Sequence, residues 1–325
     1  MSKLHSLSEE LNQYTQRLQY PEHLDSKIEK LYRAHMSKKP LSLAIKRRKF
    51  ARPALIMAAC LILFSGIAYA STFLYALDTK QVHVEVTKDG AFSLPDDVRK
   101  ELGESFKSIR NQLEPGESAV VYSAELKNRK LPDLLIITNP KSYSNLEQWK
   151  AEVDPYNKGL KLPESLPDGF TFVKGELQSP FGGIDESIYK QYHSLLQIQA
   201  KVAGTSTSWQ KYNSSEGPFS NMTGLIFQNR QHEEIVVRYH PIDPSVKDVM
   251  INVKTNGSAL AENVTLNGKN GYYSEMNGFM FSETGVSKSI QWMEEYNGLT
   301  NLYSVETPST SISKEELLIF SNTLK

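Results

Sequence analysis

Cysteine is nearly absent: the 325 residues hold one, Cys60. No disulfide can form within the chain, so its stability has to come from apolar cores. The usual catalytic signatures are missing too. There is no Gly-rich phosphate loop, no GxSxG nucleophile elbow, and no Ser-x-x-Lys with matching partners. Histidine is sparse, at seven residues, and His5, His23 and His35 have no metal-ligand spacing. His232-Glu233-Glu234 begins like a zinc-protease motif, but Val236 stands where the second ligand belongs. His83, His193, His232 and His240 therefore read as ordinary surface histidines. Asp96 and Asp97 are adjacent, as are Glu294 and Glu295, and neighbours on a strand face opposite ways. No carboxylate pair follows from them. The reading is of a protein that is not an enzyme and has no cofactor and no metal.

Net charge is absent as well, with 37 basic against 37 acidic residues. The balance is uneven along the chain: residues 1–52 carry twelve Lys/Arg and five Asp/Glu, whereas 78–325 carry twenty-five and thirty-two. No groove-reading motif accompanies the basic stretch, so no nucleic-acid partner is expected. A hydrophobic content of 39% is too high for a disordered chain.

What the sequence does have is one long apolar run. Residues 53–77 contain no Asp, Glu, Lys, Arg or His. As a helix the run would measure roughly 37 Å, enough to cross a bilayer core of about 30 Å. Seven Lys/Arg precede it within residues 38–52, and Lys80 and Lys88 alone follow within 78–92. The positive-inside rule then predicts a single-pass signal anchor in the cell membrane, amino terminus in the cytoplasm and carboxyl-terminal part outside. A cleaved signal ending at Ala70 is the competing reading.

Four parts follow: a helical segment with a basic cluster over 1–52, a span over 53–77, an exported α/β subdomain over 78–160 and an exported α+β domain over 161–325. In the first, Leu4, Leu7, Leu11, Tyr14 and Leu18 make a helical stripe, and Leu24, Ile28, Leu31 and Tyr32 a second beyond Pro21. Two such short helices cannot bury a core alone. Leu11, Leu18, Leu24, Ile28, Leu31 and Tyr32 are the candidate contacts with a cytoplasmic partner. Self-association through a coiled coil is the alternative.

Past residue 78, Val82, Val84 and Val86 alternate as a strand, and Pro95 opens a helix striped by Val98, Leu102, Phe106, Ile109 and Leu113. A helix over 185–201 and a meander of short strands follow, with one strand over 279–282 among them. A last helix opens on the capping box of Ser313 and Glu316. The fold class expected is α+β, with an antiparallel, strongly curved sheet and helices lying against it. Tyr272, Tyr273, Trp292 and Tyr296 are candidates for a ligand cleft on its concave face, although cross-strand pairing and core also account for them.

Three stretches carry a resemblance: Leu166-Pro167-Asp168-Gly169-Phe170, Gly268-Lys269-Asn270-Gly271-Tyr272-Tyr273 and Ile290-Gln291-Trp292-Met293-Glu294-Glu295. With the closing Ser313-Lys314-Glu315-Glu316-Leu317 helix, the carboxyl-terminal half resembles a domain family of unknown function from membrane proteins of spore-forming Gram-positive bacteria. The amino-terminal layout is similar to that of anti-sigma factors, although it lacks the His-x-x-x-Cys-x-x-Cys of the zinc-binding type. The resemblance implies a membrane regulatory protein that couples an outer sensing domain to a cytoplasmic sigma factor. The alternative is an anchored module that binds or carries an envelope ligand.

Overall fold

β1 (Thr72–Asp78) and β2 (Val82–Asp89) pair antiparallel, and β11 (Val249–Asn256) adds to β2 in parallel. The computed structural model describes residues 72–80, 82–89, 94–129, 131–153, 159–167, 169–212, 222–242 and 249–325. In β2 the alternating Val82, Val84 and Val86 are buried, as the period-two pattern requires.

An eight-stranded antiparallel sheet forms the centre. Its order is β12 (Leu260–Leu266), β13 (Lys269–Asn277), β14 (Val286–Tyr296), β15 (Leu299–Thr307), β10 (Glu234–Ile242), β9 (Thr223–Gln228), β6 (Thr171–Glu176) and β5 (Ser142–Tyr143). Its inner face, carrying Val237, Tyr239, Ile290, Trp292, Tyr303 and Val305, is covered by two helices, α3 (Leu146–Val153) and α5 (Lys314–Ser321). Trp149 of α3 and Phe320 of α5 are fully buried there. Trp149 lies flat on Gly175, where a Cβ would come within 2.3 Å of its ring, and its Nε1 donates to the Glu176 carbonyl at 3.1 Å. On the outer face, Ile242 and Leu302 pack with Tyr75, Leu77 and the valines of β2. Tyr75 stacks on Tyr272 at 4.4 Å.

The third sheet has four antiparallel strands, in the order β7 (Phe181–Gly182), β4 (Leu134–Thr138), β3 (Ser118–Ser123) and β8 (Thr207–Tyr212). β3 and β4 are buried along their whole length because helices cover both faces. α1 (Asp96–Arg110) packs on Ala119, Val121, Leu135 and Ile137, and α4 (Glu186–Ala203) on Val120, Tyr122, Leu134 and Ile136. The short α2 (Ala124–Asn128) follows β3 directly. α1 is tied to the loop before β14 by Arg99, whose Nη1 donates to the carbonyls of Ser282 at 2.9 Å and Glu283 at 3.1 Å. Each of the three sheets draws strands from both sides of residues 158–168, the stretch that composition marks as a boundary.

Two expectations are corrected. The span over 53–77 does not exist as drawn, because its last six residues lie in β1, paired with β2 and buried against the central sheet. Residues 53–71 lie outside the described residues, and so do 1–52 with Leu11, Leu18, Leu24, Ile28, Leu31 and Tyr32. Among the described residues no helix is long and apolar enough to cross a membrane. The membrane anchor and single-pass arrangement built on that span are withdrawn with it. The physical reason is periodicity. Tyr75 and Leu77 are 2% and 5% exposed while their neighbours Leu74 and Ala76 are only half-buried, an alternation that a count of apolar residues cannot register. The α+β class is corrected as well: the described residues are mostly β, with fifteen strands in three sheets against five helices. One of those sheets contains a parallel pair.

Candidate functional site

A single row of side chains crosses the outer face of the central sheet. Register places Glu176 of β6 beside Gly224 of β9, Gly224 beside Arg238 of β10, Arg238 beside Ser304 of β15, and Ser304 beside Gln291 of β14. Gly224 is what lets Arg238 lie across its neighbour, since a Cβ there would stand 3.1 Å from Nη1. Arg238 reaches Glu176 at 3.9 Å and Glu306 at 3.7 Å, long ion pairs with little exposure. Glu176 also meets Lys174 at 3.0 Å. From the end of α1, Arg110 reaches the same group, its cation 4.6 Å above the Phe181 ring. Burial pushes the Arg110 pKa down, with Glu176 opposing and Arg238 adding to the shift.

His240 lies one pleat further along β10 and is buried, and burial lowers its pKa to about 4. It is therefore a neutral interior side chain near pH 7, not a surface histidine. Arg238, His240, Gln291, Ser304 and Glu306 surround a recess closed by Met222 and Leu302. About 20 Å³ of it is open to the centre of a water-sized molecule, which is room for one water and not for a metabolite. Ser304 Oγ and Arg238 Nη1 have no hydrogen-bond partner among the described residues.

A second polar pair fastens α4. His193 Nε2 and Asp133 Oδ2 lie 2.8 Å apart, Tyr189 stacks on the imidazole at 4.5 Å, and Tyr122 meets it edge-on at 6.0 Å. A histidine oriented by a carboxylate is half of a nucleophile-activating triad. Among the described residues no hydroxyl hydrogen-bonds to its other nitrogen, and the pair ties α4 to the head of β4. His83 sits against Asp78 at 2.5 Å, and His232 adopts φ 62° in the turn before β10. No group of three or more His, Cys, Asp or Glu suited to a metal occurs among the described residues.

The four aromatics proposed for a cleft are separated by the pleat. Tyr272 is on the outer face against Tyr75, whereas Tyr273 and Trp292 are on the inner face. Trp292 is 2% exposed and stacks on Tyr303 at 5.1 Å. Tyr296 covers Gly159, where a Cβ would be 2.6 Å from its ring. Beside it, burial pushes the Glu294 carboxyl up, but bonds from Lys269, Lys161 and the Trp292 Nε1 outweigh burial and leave it below its ordinary value. Sequence reasoning missed the Glu176–Arg238 row. Its one local signal was Gly224, an isolated glycine inside a strand pattern.

No protein-family model, curated protein or solved structure matches this chain. The family resemblance rests on the motifs quoted above alone.

Proposed function

We propose that the chain is a regulatory binding protein that works by protein–protein contact. In this reading the amino-terminal stripes of Leu11, Leu18, Leu24, Ile28, Leu31 and Tyr32 hold a helical partner, and a sigma factor is the first to try. The observation that carries it concerns the alternative. A carrier needs an open inner face, and here Trp149, Val153, Leu317 and Phe320 fill that face. The recess on the outer face takes one water. Among the described residues this favours recognition by outer surfaces, and the amino-terminal stripes need a partner to cover them.

The test is co-purification from the source cell of the full chain and of a Leu24→Asp/Ile28→Asp variant. The reading expects one dominant partner with the native chain and at least tenfold less with the variant. Equal capture by both would overturn it. A small molecule retained by the folded chain in native mass spectrometry would favour the carrier reading.

A further inference from the structure

Asn-Gly, a side-chain amide followed by an unhindered backbone nitrogen, occurs at Asn256, Asn267, Asn270, Asn277 and Asn297. Two of these pairs form matched turns. Leu266 pairs with Lys269 around Asn267-Gly268, and Tyr296 pairs with Leu299 around Asn297-Gly298. φ is 48° and 79° across the first pair and 50° and 81° across the second. Both are therefore two-residue hairpins of type I′, left-handed at each central residue. All four residues are exposed. Their surroundings differ. Just beyond α5, Asn322 holds Asn267 twice: the Asn267 N–H donates to Asn322 Oδ1 at 3.0 Å, and Asn267 Nδ2 donates to the Asn322 carbonyl at 3.3 Å. The Asn297 side-chain amide has no hydrogen bond among the described residues.

We infer that Asn297 is a site of spontaneous conversion to aspartate and isoaspartate, and that Asn267 is its protected twin. The chemistry needs only water. The Gly298 nitrogen gives up its proton and attacks Asn297 Cγ. The new C–N bond closes a succinimide ring, the Cγ–Nδ2 bond breaks, and Nδ2 leaves as ammonia with the proton. Water then opens the ring. Addition at Cγ gives aspartate, and addition at the main-chain carbonyl of residue 297 gives isoaspartate, whose backbone runs through the side chain. No oxidation or reduction is involved. Glycine favours the attack because it carries no side chain beside the nitrogen, and the hydrogen bond of the turn joins the flanking residues, leaving that nitrogen out of it. The folded turn is not itself the reactive form. At the left-handed ψ of about +47° the glycine nitrogen points away from the asparagine Cβ, so the ring closes only after the turn opens. Opening is what separates the two sites. Asn297 opens by fraying a hairpin tip, whereas Asn267 must also break its two bonds to Asn322. Conversion puts a new carboxylate on a hairpin that already carries Glu294 and Glu295. As isoaspartate it also adds a methylene to the backbone next to Tyr296, which covers Gly159.

The inference does not depend on the amino-terminal partner. It is tested by holding the full chain for weeks in mildly alkaline buffer, then digesting it. Liquid chromatography with electron-transfer mass spectrometry follows each Asn-Gly peptide and tells aspartate from isoaspartate. A sample unfolded in guanidinium gives the rate that each sequence has without a fold. In the folded chain Asn297 is expected to convert about tenfold faster than Asn267, and in the unfolded chain the two are expected to convert alike. Asn322→Ala, which removes the Oδ1 acceptor, is expected to raise conversion at Asn267 several-fold relative to Asn297 in the same chain, a ratio that a general loosening of the fold would not move. A folded chain in which Asn297 stays an amide would overturn the inference. So would equal conversion at the two turns, or an Asn322→Ala chain whose Asn267 is no faster.

Discussion

His240 is the residue whose environment has the clearest thermodynamic consequence. Its folded pKa of about 4 lies below the ordinary 6.5 because the ring is buried. The unfolded chain therefore takes up a proton first as pH falls. The stability that His240 permits is complete above about pH 6.5 and is lost progressively between about pH 6.5 and 4, by about 3 kcal/mol in all. Urea titrations at pH 7.5 and 4.5 measure this. His240→Gln is expected to reduce the difference between the two pH values, and an unchanged difference would assign the acid sensitivity elsewhere. Two glycines make a sharper comparison. Gly175→Ala drives a methyl into the Trp149 ring, which has no room to move, and is expected to cost about 1–3 kcal/mol. Gly103→Ala, in α1 with nothing within 4 Å of the added carbon, is expected to stabilise by about 1 kcal/mol.

At the scale of elements, local chemistry decided what could be read from sequence. α5 begins at the Ser313–Glu316 capping box: Ser313 Oγ accepts from the Glu316 N–H at 3.1 Å, and Glu316 Oε2 from the Ser313 N–H at 2.7 Å. Ser313→Ala should lower stability by about 1 kcal/mol, seen as a lower urea midpoint with the m-value unchanged. Each partner in that motif lies three residues from the other, so the sequence displays it whole. The segment 279–282 has the composition of a strand yet forms a loop, because Met280 and Phe281 bury themselves against α1 instead of pairing. The row from Glu176 to Gln291 spans five strands whose order only the register reveals.

For the molecule as a whole, β1 is the first element of the folded body among the described residues. Had 53–77 crossed a membrane, a chain beginning at Thr79 would retain every contact of the body. The structure requires otherwise. Tyr75 and Leu77 are buried against the central sheet, the Tyr75 hydroxyl donates to Gln291 Oε1 at 3.1 Å, and β1 shields one edge of β2. Burying those two side chains contributes about 3–6 kcal/mol, a large part of the 5–15 kcal/mol typical of whole proteins. β2 is itself the bridge to β11, joining residues about 167 positions apart, so loosening it also loosens that long-range pairing. A chain beginning at Thr79 is therefore expected to bind a hydrophobic dye and to melt at least 10 °C lower, or without a cooperative transition. A chain beginning at Ser71, which keeps β1, is the reference for that comparison. Equal melting of the two shortened chains would show that β1 adds nothing to the body, and would return residues 72–77 to the apolar segment that precedes them.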